Sequence, residues 1–366
     1  MKTTIKREDL LGPLQQIIGA VERRQTLPIL GNVLFKSTGG DLSLAATDLE
    51  IEMVASVSAE TDADFQTTIP ARKLLDISKA LPEGASIQFT IDDTRVSLNS
   101  GRSRFTLATL SAHDFPSLDE MEVQQSFSIP QNLLKDLIDK TAFAMAQQDV
   151  RYYLNGILME VASDAVKLVA TDGHRLALSQ ATLDSGVSEE RQIIIPRKAV
   201  LELARLLDSS DTPARCELSQ NHLRIEMPSL VFTTKLIDGK FPDYERVIPV
   251  DGNKIMKVER ETLKQSMSRI AILSNEKYRG IRLSLNAGNL SIQANNPDQE
   301  EAEEELPVDY DDIDLEIGFN VTYLIDVLNV LGSEKVQVKL KDSNSSAIIS
   351  DSENEDSLYV VMPMRL

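Results

Sequence analysis

The stretch Thr171-Asp172-Gly173-His174-Arg175 sets a carboxylate two residues from an imidazole, a spacing open to an Asp-His proton-transfer pair. The chain has three histidines and one cysteine, so Ser-His-Asp and Cys-His arrangements are nearly out of reach. His113 and His222 stand apart, with no partner pattern around either. Gly239-Lys240 is followed by Phe241, not Ser or Thr, so it is no phosphate loop, and neither Gly-x-Gly-x-x-Gly nor Gly-x-Ser-x-Gly occurs. The run Glu300-Glu301-x-Glu303-Glu304-Glu305 lacks the spaced oxygens and the glycine of a calcium loop. Cys216 lies in the alternating segment Arg215-Cys216-Glu217-Leu218 and reads as a buried strand thiol. No enzyme chemistry, cofactor or metal site is expected.

The elements that position these residues recur. Leu44-Ala45-Ala46-Thr47-Asp48-Leu49, Leu168-Val169-Ala170-Thr171-Asp172-Gly173 and Ile292-Gln293-Ala294-Asn295-Asn296-Pro297 share one shape at one spacing. The first copy carries Glu50 or thereabouts where the second has His174, so a turn histidine packed at a domain junction competes with any catalytic role. Each copy has a later helix starting at Ile69-Pro70-Ala71-Arg72, Ile195-Pro196-Arg197-Lys198 or Phe319-Asn320-Val321-Thr322. Its apolar face is Leu74, Ile77 and Leu81, then Val200, Leu203 and Leu207, then Leu324, Val327 and Leu331. An earlier helix repeats too, through Leu10, Leu14, Ile17 and Val21, then Leu134, Leu137 and Ile138, then Leu263, Met267 and Ile270. Short alternating runs such as Ser86 to Ile91, Leu223 to Met227 and Val336 to Leu340 predict strands.

Each copy therefore reads helix, strands, helix, strands. The expected fold class is α+β, three tandem domains with two helices on one face of an antiparallel sheet, bounded at 1–124, 125–252 and 253–366. The chain lacks the run of about 18 apolar residues that a membrane helix needs and starts with charges where a secretory signal would be apolar, so it reads as cytoplasmic.

The net charge is −19, which taken globally argues against nucleic acid. The distribution is uneven. From Leu283 to Glu334 there is no Lys or Arg, while Asp298 to Glu316 holds eleven acids. Basic residues gather at Arg23-Arg24, Arg72-Lys73, Arg102-x-Arg104, Arg197-Lys198 with Arg205, and Lys240. Any one pair could be a solvated surface charge, but the same place in two successive repeats puts both on one common face.

The chain resembles, over its whole length, the bacterial sliding clamps, the β subunit of DNA polymerase III, in their proteobacterial form. The likeness rests on Thr26-Leu27-Pro28-Ile29-Leu30-Gly31-Asn32, Gly101-Arg102-Ser103-Arg104-Phe105, Gln148-Asp149-Val150-Arg151-Tyr152-Tyr153-Leu154-Asn155-Gly156, Ala170-Thr171-Asp172-Gly173-His174-Arg175-Leu176, Asp238-Gly239-Lys240-Phe241-Pro242-Asp243-Tyr244 and the terminal Tyr359-Val360-Val361-Met362-Pro363-Met364-Arg365-Leu366. Glu245 stands where a basic residue is expected in close relatives, and Glu22 sits beside Arg23-Arg24.

The resemblance implies a head-to-tail homodimer ring of six domains with pseudo-sixfold symmetry. Duplex DNA would thread it, held by topology and not by sequence. The DNA-facing residues it implies are Arg24, Arg72, Gln148, Tyr152, Tyr153, Arg197, Lys198, Arg205 and Lys240, with Tyr152 and Tyr153 open to a core role instead. It implies a dimer seam in which Phe105 and Leu107 pack with Ile272 and Leu273, while Lys73, Arg95, Arg102 and Arg104 face Glu300, Glu301, Glu303 and Glu304. It implies a pocket for short linear peptides formed by Leu154, Thr171, Gly173, His174, Arg175, Leu176, Pro242, Val247, Tyr323, Ser346, Val360, Met362, Pro363, Met364 and Arg365. The partners it implies are the replicative polymerase, an ATP-driven clamp loader, other polymerases, and mismatch-repair and ligase-type proteins. The competing reading is an acidic repeat scaffold that binds proteins without encircling DNA.

Overall fold

Period-two alternation becomes strand where the sequence places it, at Ser86–Ile91, His222–Met227 and Lys335–Leu340. The computed structural model describes residues 1–22, 27–61, 63–92, 94–118, 121–354 and 356–365. Among them are six α-helices: α1 (Arg7–Ile17), α2 (Ala71–Ala80), α3 (Gln131–Thr141), α4 (Arg197–Leu206), α5 (Arg260–Ile270) and α6 (Val321–Val330). The apolar stripes face inward. Leu10, Leu14 and Ile17 of α1, Val200 and Leu203 of α4, and Leu324 and Val327 of α6 are all buried. Val21 lies just beyond a 3-10 turn at Ile18–Ala20 that follows α1, and it is buried too.

The structure adds one element to the helix-strands order. A strand runs directly into every helix, at Lys2–Lys6, Phe65–Pro70, Gln125–Pro130, Arg191–Pro196, Lys254–Glu259 and Leu315–Asn320. Three of these strands end in proline, which donates no ladder hydrogen bond and presets the φ of a turn. The building block is thus strand, helix, three strands, used twice in each copy, with one extra short strand, Glu60–Thr61, in the first.

The chain divides into two compact units. The first comprises Met1–Gln131 with Ser210–Leu236. One of its sheets has five strands in the order Glu60–Thr61, Lys2–Lys6, Ser86–Ile91, Arg95–Ser100, Ser103–Ala108. The other has eight, in the order Gln125–Pro130, Pro213–Leu218, His222–Met227, Leu230–Lys235, Ile51–Val57, Asp41–Thr47, Asn32–Thr38, Phe65–Pro70. Helices α1 and α2 pack side by side, α1 on Ile51–Val57, and the Phe35 and Phe89 rings from the two sheets meet at 5.7 Å.

The second unit comprises Asn132–Ser209 with Ile237–Leu366. Its eight-stranded sheet runs Arg191–Pro196, Gly156–Val161, Ala165–Thr171, Arg175–Thr182, Ser357–Val361, Ala347–Asp351, Lys335–Leu340, Lys254–Glu259. Its four-stranded sheet runs Glu301–Pro307, Asn289–Asn295, Gly280–Asn286, Leu315–Asn320.

Both eight-stranded sheets join strands from two repeat copies. In the first unit Leu230 opposes Ala55 and Thr234 opposes Ile51; in the second Val361 opposes Arg175 and Ser357 opposes Ser179. These antiparallel seams occupy the same place in the repeat and are lined mostly by apolar and small residues. Among the described residues, no helix is long and apolar enough to cross a membrane.

Candidate functional site

The Thr171 to Arg175 stretch is a tight turn between Ala165–Thr171 and Arg175–Thr182, and its side chains hold it closed. Asp172 accepts from the backbone N–H groups of His174 (2.9 Å) and Arg175 (3.1 Å) through Oδ1, and from Arg175 Nε through Oδ2 (3.1 Å). Thr171 Oγ1 donates to the Arg175 carbonyl at 2.6 Å and accepts from Gly173 N–H at 3.1 Å. The carboxylate therefore serves the turn and the guanidinium. This arrangement builds a wall and not a proton relay, and the His174 ring instead stacks on Tyr323 at 6.4 Å with a 19° interplanar angle.

Arg175 is the hub of the region. Nη1 donates to Asp326 Oδ2 (2.6 Å) and Nη2 to the Phe143 carbonyl (2.8 Å), while the guanidinium lies 4.5 Å from the Tyr323 ring centre and 5.1 Å from that of Phe143. Such a planar, fully charged group between two rings combines charge-assisted hydrogen bonds with cation–π attraction. Burial raises the Tyr323 hydroxyl pKa, with the Asp172 carboxylate adding to it, so that group stays protonated and able to donate.

Beside the turn, Leu154, Leu176 and Val360 meet in one apolar cluster with Ala146, Leu158, Val169, Ile194, Phe241 and Tyr244. Leu176 opposes Val360 across the seam, and Met362 N–H donates to the His174 carbonyl at 3.0 Å. Pro242 follows Phe241 of this cluster in the chain, and Val247 closes the 3-10 turn that Tyr244, also of the cluster, opens. Ser346 immediately precedes Ala347–Asp351, whose Ala347 opposes Val361. Met364 bonds through its N–H to the Gly318 carbonyl at 2.8 Å. With Arg365 it lines a cleft of about 460 Å³ beside Asn275, Tyr278 and Asn296. The expected pocket residues thus fall into two adjoining groups, one around Leu176 and Arg175, the other around Met364.

The basic helix starts have a distinctive construction. Arg72 and Lys73 open α2 and Arg197 and Lys198 open α4, each after a proline cap that makes no side-chain hydrogen bond, with no acid in the first turn. Helices α1 and α5 also open on an arginine, Arg7 and Arg260, but Glu8 and Asp9 follow it in α1 and Glu261 in α5, and Asn320 caps α6. Cations at a helix N-terminus oppose the macrodipole at about 0.3–1 kcal/mol each. In α2 and α4 no acid in the first turn offsets that cost. Arg197 also donates through Nη1 to the Met145 carbonyl (3.3 Å), and its N–H bonds the Asn155 carbonyl (2.9 Å). Arg205 is already paired with Glu202 at 2.8 Å.

The loop before Gly156–Val161 carries Gln148, Tyr152 and Tyr153, the polar and aromatic residues expected to face DNA. Asn155 pins it by accepting from Asp149 N–H (3.0 Å) and donating to the Asp149 carbonyl (2.9 Å). Arg151 bridges Asp149 and the Asp172 carbonyl, and its bonds pull the Asp149 carboxyl down to about 2. Gln148 sits in the left-handed region at φ 56°. Tyr152 is 57% exposed and rests beside Gly239, next to Lys240, whereas Tyr153 packs against the apolar cluster. Arg24 lies outside the described residues.

Two edge strands carry half of the expected seam residues: Arg104, Phe105 and Leu107 on one, Glu301, Glu303 and Glu304 on the other. Ser103–Ala108 ends the five-stranded sheet and Glu301–Pro307 ends the four-stranded one. Arg95, Arg102, Arg104 and Lys73 are exposed, Phe105 is half-buried, and Leu107 is largely buried in its own core. Ile272 is 75% exposed on the 3-10 turn Ala271–Leu273, with Leu273 half-buried beside it. Glu303 accepts from Gln293 (2.6 Å) and Ser291 (3.1 Å), Glu300 from Asn296 (2.7 Å), and Glu304 pairs with Arg269 of its own chain. These contacts hold the Glu303 and Glu304 carboxyls below the usual range, with the Gln293 and Arg269 bonds the largest causes.

Three consecutive stretches match the DNA polymerase III beta subunit family: residues 1–119 its N-terminal domain, 128–243 its central domain and 245–365 its C-terminal domain. The chain belongs to the DNA polymerase III beta subunit family. It is 54% identical over 367 residues to the beta sliding clamp of Pseudomonas aeruginosa and 50% identical to that of Escherichia coli K12, each match covering all of both chains. The crystal structure of the Pseudomonas aeruginosa subunit superposes with a TM-score of 0.97 at 54% identity over all of both chains. A second structure of that clamp, bound to griselimycin, gives 0.96 at the same identity and coverage. The α+β fold is therefore three tandem clamp domains, and the chain is a sliding clamp, a processivity scaffold and not an enzyme.

Several residues of this clamp's wall escaped the sequence reading. Asp326 had a usable signal: it is three residues from Tyr323 on α6, and that spacing puts both on one helical face. Asp149 and Arg151 lie inside the Gln148 to Gly156 motif, which by itself assigns neither a role. Phe143 had no signal at all, because its contacts with Arg175 and Tyr359 are set by tertiary packing.

Proposed function

We propose that two copies of this clamp close head to tail into a ring around duplex DNA, using domains 1–124, 125–252 and 253–366. The observation that carries this is the strand pairing of the repeat. Leu230–Lys235 pairs with Ile51–Val57, and Ser357–Val361 with Arg175–Thr182, in one register stepped by one repeat. The remaining strands of these two types are Ser103–Ala108 and Glu301–Pro307, both at sheet edges. One chain's Ser103–Ala108 is the natural complement of another's Glu301–Pro307, a heterologous contact that closes by rotation.

Carrying the register forward one step sets Arg104 opposite Glu303 of the partner subunit and Thr106 opposite the partner's Glu301. Phe105 and Leu107 then point to the other face, toward the partner's Ile272 and the partner's Leu273. The two seams inside the chain are nearly uncharged, while this third one is basic on one side and acidic on the other. Like edges therefore repel, which blocks homotypic pairing and fixes polarity. Charge gives register and encounter rate, and the apolar pair gives the affinity.

The DNA contacts in this reading are phosphate contacts from Arg24, Arg72, Arg197, Lys198, Arg205 and Lys240, with Gln148, Tyr152 and Tyr153 beside them. They carry no sequence information and weaken with salt, as a sliding sleeve requires. The pocket around Leu176, Arg175 and Val360, continued toward Met364 and Arg365, receives short linear peptides of polymerases, the loader and repair proteins, and in this reading it also takes griselimycin, to which the Pseudomonas aeruginosa clamp is bound in its crystal structure. The place of action is the cytoplasm. Retention on DNA tests the ring: after loading, a ring stays on a nicked circle and is lost once the same circle is linearised. Equal retention on both forms, or none on either, would overturn encirclement.

A further inference from the structure

A buried carboxylate lies outside the pocket, on the sheet of the second unit. Glu160 lies on Gly156–Val161, a strand buried on both faces, and is itself only 8% exposed. Both of its oxygens are engaged. Oε1 accepts from Gln192 Nε2 at 2.7 Å; Oε2 accepts from the Tyr244 hydroxyl at 2.8 Å and lies 3.4 Å from Lys167 Nζ. Lys167 also donates to the Tyr244 hydroxyl (3.3 Å) and lies 5.9 Å from its ring centre. A carboxylate is costly to bury, and a fully satisfied polar network of this kind fixes geometry more than it adds stability.

What the network fixes is the 3-10 turn Tyr244–Val247. Tyr244 opens that turn, Val247 closes it, and Pro242 stands two residues before it. The Tyr244 ring enters the apolar cluster with Leu154, Leu176 and Val360, while its hydroxyl is tied to the sheet beneath. Burial raises the hydroxyl's pKa, with the Glu160 bond second, so the phenol remains a donor across the working range. Burying Phe241 and Tyr244 alone would leave their segment free to shift along an apolar surface, since hydrophobic contact is non-directional. The directional bond to Glu160 removes that freedom.

We propose that Glu160, with Lys167, is a positioning residue of the peptide pocket, acting through the Tyr244 hydroxyl to hold Pro242 and Val247 where a bound peptide meets them. This rests on the pocket reading given above. Tyr244→Phe deletes only the hydroxyl. Titrated with griselimycin, it is expected to bind roughly tenfold more weakly than the wild type, the loss of one hydrogen bond to a charged group. Glu160→Ala should behave alike. Glu160→Gln should stay within about twofold, because its amide oxygen can still accept from Tyr244 while the Gln192 amide turns to present its own oxygen. A purely structural role would lower melting temperature and leave the affinity of the folded protein unchanged.

Amide hydrogen exchange gives a ligand-free measure. The Ile248 N–H bonds the Glu245 carbonyl at 3.3 Å and should exchange faster in Tyr244→Phe than in the wild type. Unchanged griselimycin affinity in Tyr244→Phe, or unchanged exchange at Ile248, overturns the positioning role. Failure of the wild type itself to bind griselimycin overturns the pocket reading, while faster exchange at Ile248 would still separate the two.

Discussion

Arg175 and Asp326 come from different repeat copies and meet at 2.6 Å, one on the turn after Ala165–Thr171 and the other on α6. The contact ties the His174 turn to the helix that carries Tyr323, so both rings of the stacked pair depend on it. Asp326→Asn keeps the shape and removes the charge. Its expected effect is a loss of about 1–2 kcal/mol in peptide affinity, modest because Asp172 still holds the Arg175 Nε. A fluorescence titration with a labelled partner peptide reads this directly, and an unchanged affinity would remove Asp326 from the pocket's support.

Gly173 is the one glycine of the pocket whose conformation demands it. Its φ is +86°, and a Cβ there would come 2.9 Å from Arg151 Nη2. Gly173→Ala must strain the turn or displace the guanidinium, at a cost of about 1–3 kcal/mol. Peptide affinity should fall and the Gln148 loop should loosen, visible as faster proteolysis near Arg151. Normal affinity with normal proteolysis would mean that the turn has slack the geometry does not reveal.

The proposed seam makes two separable predictions about assembly. Ile272→Ala with Leu273→Ala removes its apolar anchor and should give monomers at micromolar concentration in sedimentation velocity. Arg104→Glu should weaken the dimer less, and adding Glu303→Arg should restore much of it by exchanging the two charges. A double mutant no better than the single one would place Arg104 and the partner's Glu303 out of register.

Cys216 provides a probe of opening. Its thiol is fully buried on Pro213–Leu218, and burial pushes its pKa up to about 12. The folded state thus disfavours the thiolate. The stability it retains at neutral pH is intact below the ordinary thiol pKa of about 8.5 and declines as pH rises from there toward about 12. At pH 8 a maleimide should label the native chain only at its opening rate. Fast stoichiometric labelling without denaturant would show that this sheet opens freely.

The sequence by itself determined the threefold repeat, the α+β class and the inward faces of the helices. Hydrophobic period is a local property, and Leu10, Val200 or Leu324 needs only its own helix to declare its side. It also exposed the sign contrast between Arg102-x-Arg104 and Glu300 to Glu305, because charge can be counted without coordinates. The strand before each helix was not legible, since Lys2–Lys6 and Lys254–Glu259 are short and take meaning only from the strands they pair with. The tertiary structure alone decided which edges remain open, that Tyr152 projects while Tyr153 packs, that Arg175 lies between Phe143 and Tyr323, and that Glu160 holds Tyr244. Each of these joins residues far apart in the chain, through hydrogen bonds and ring contacts whose geometry no local pattern encodes.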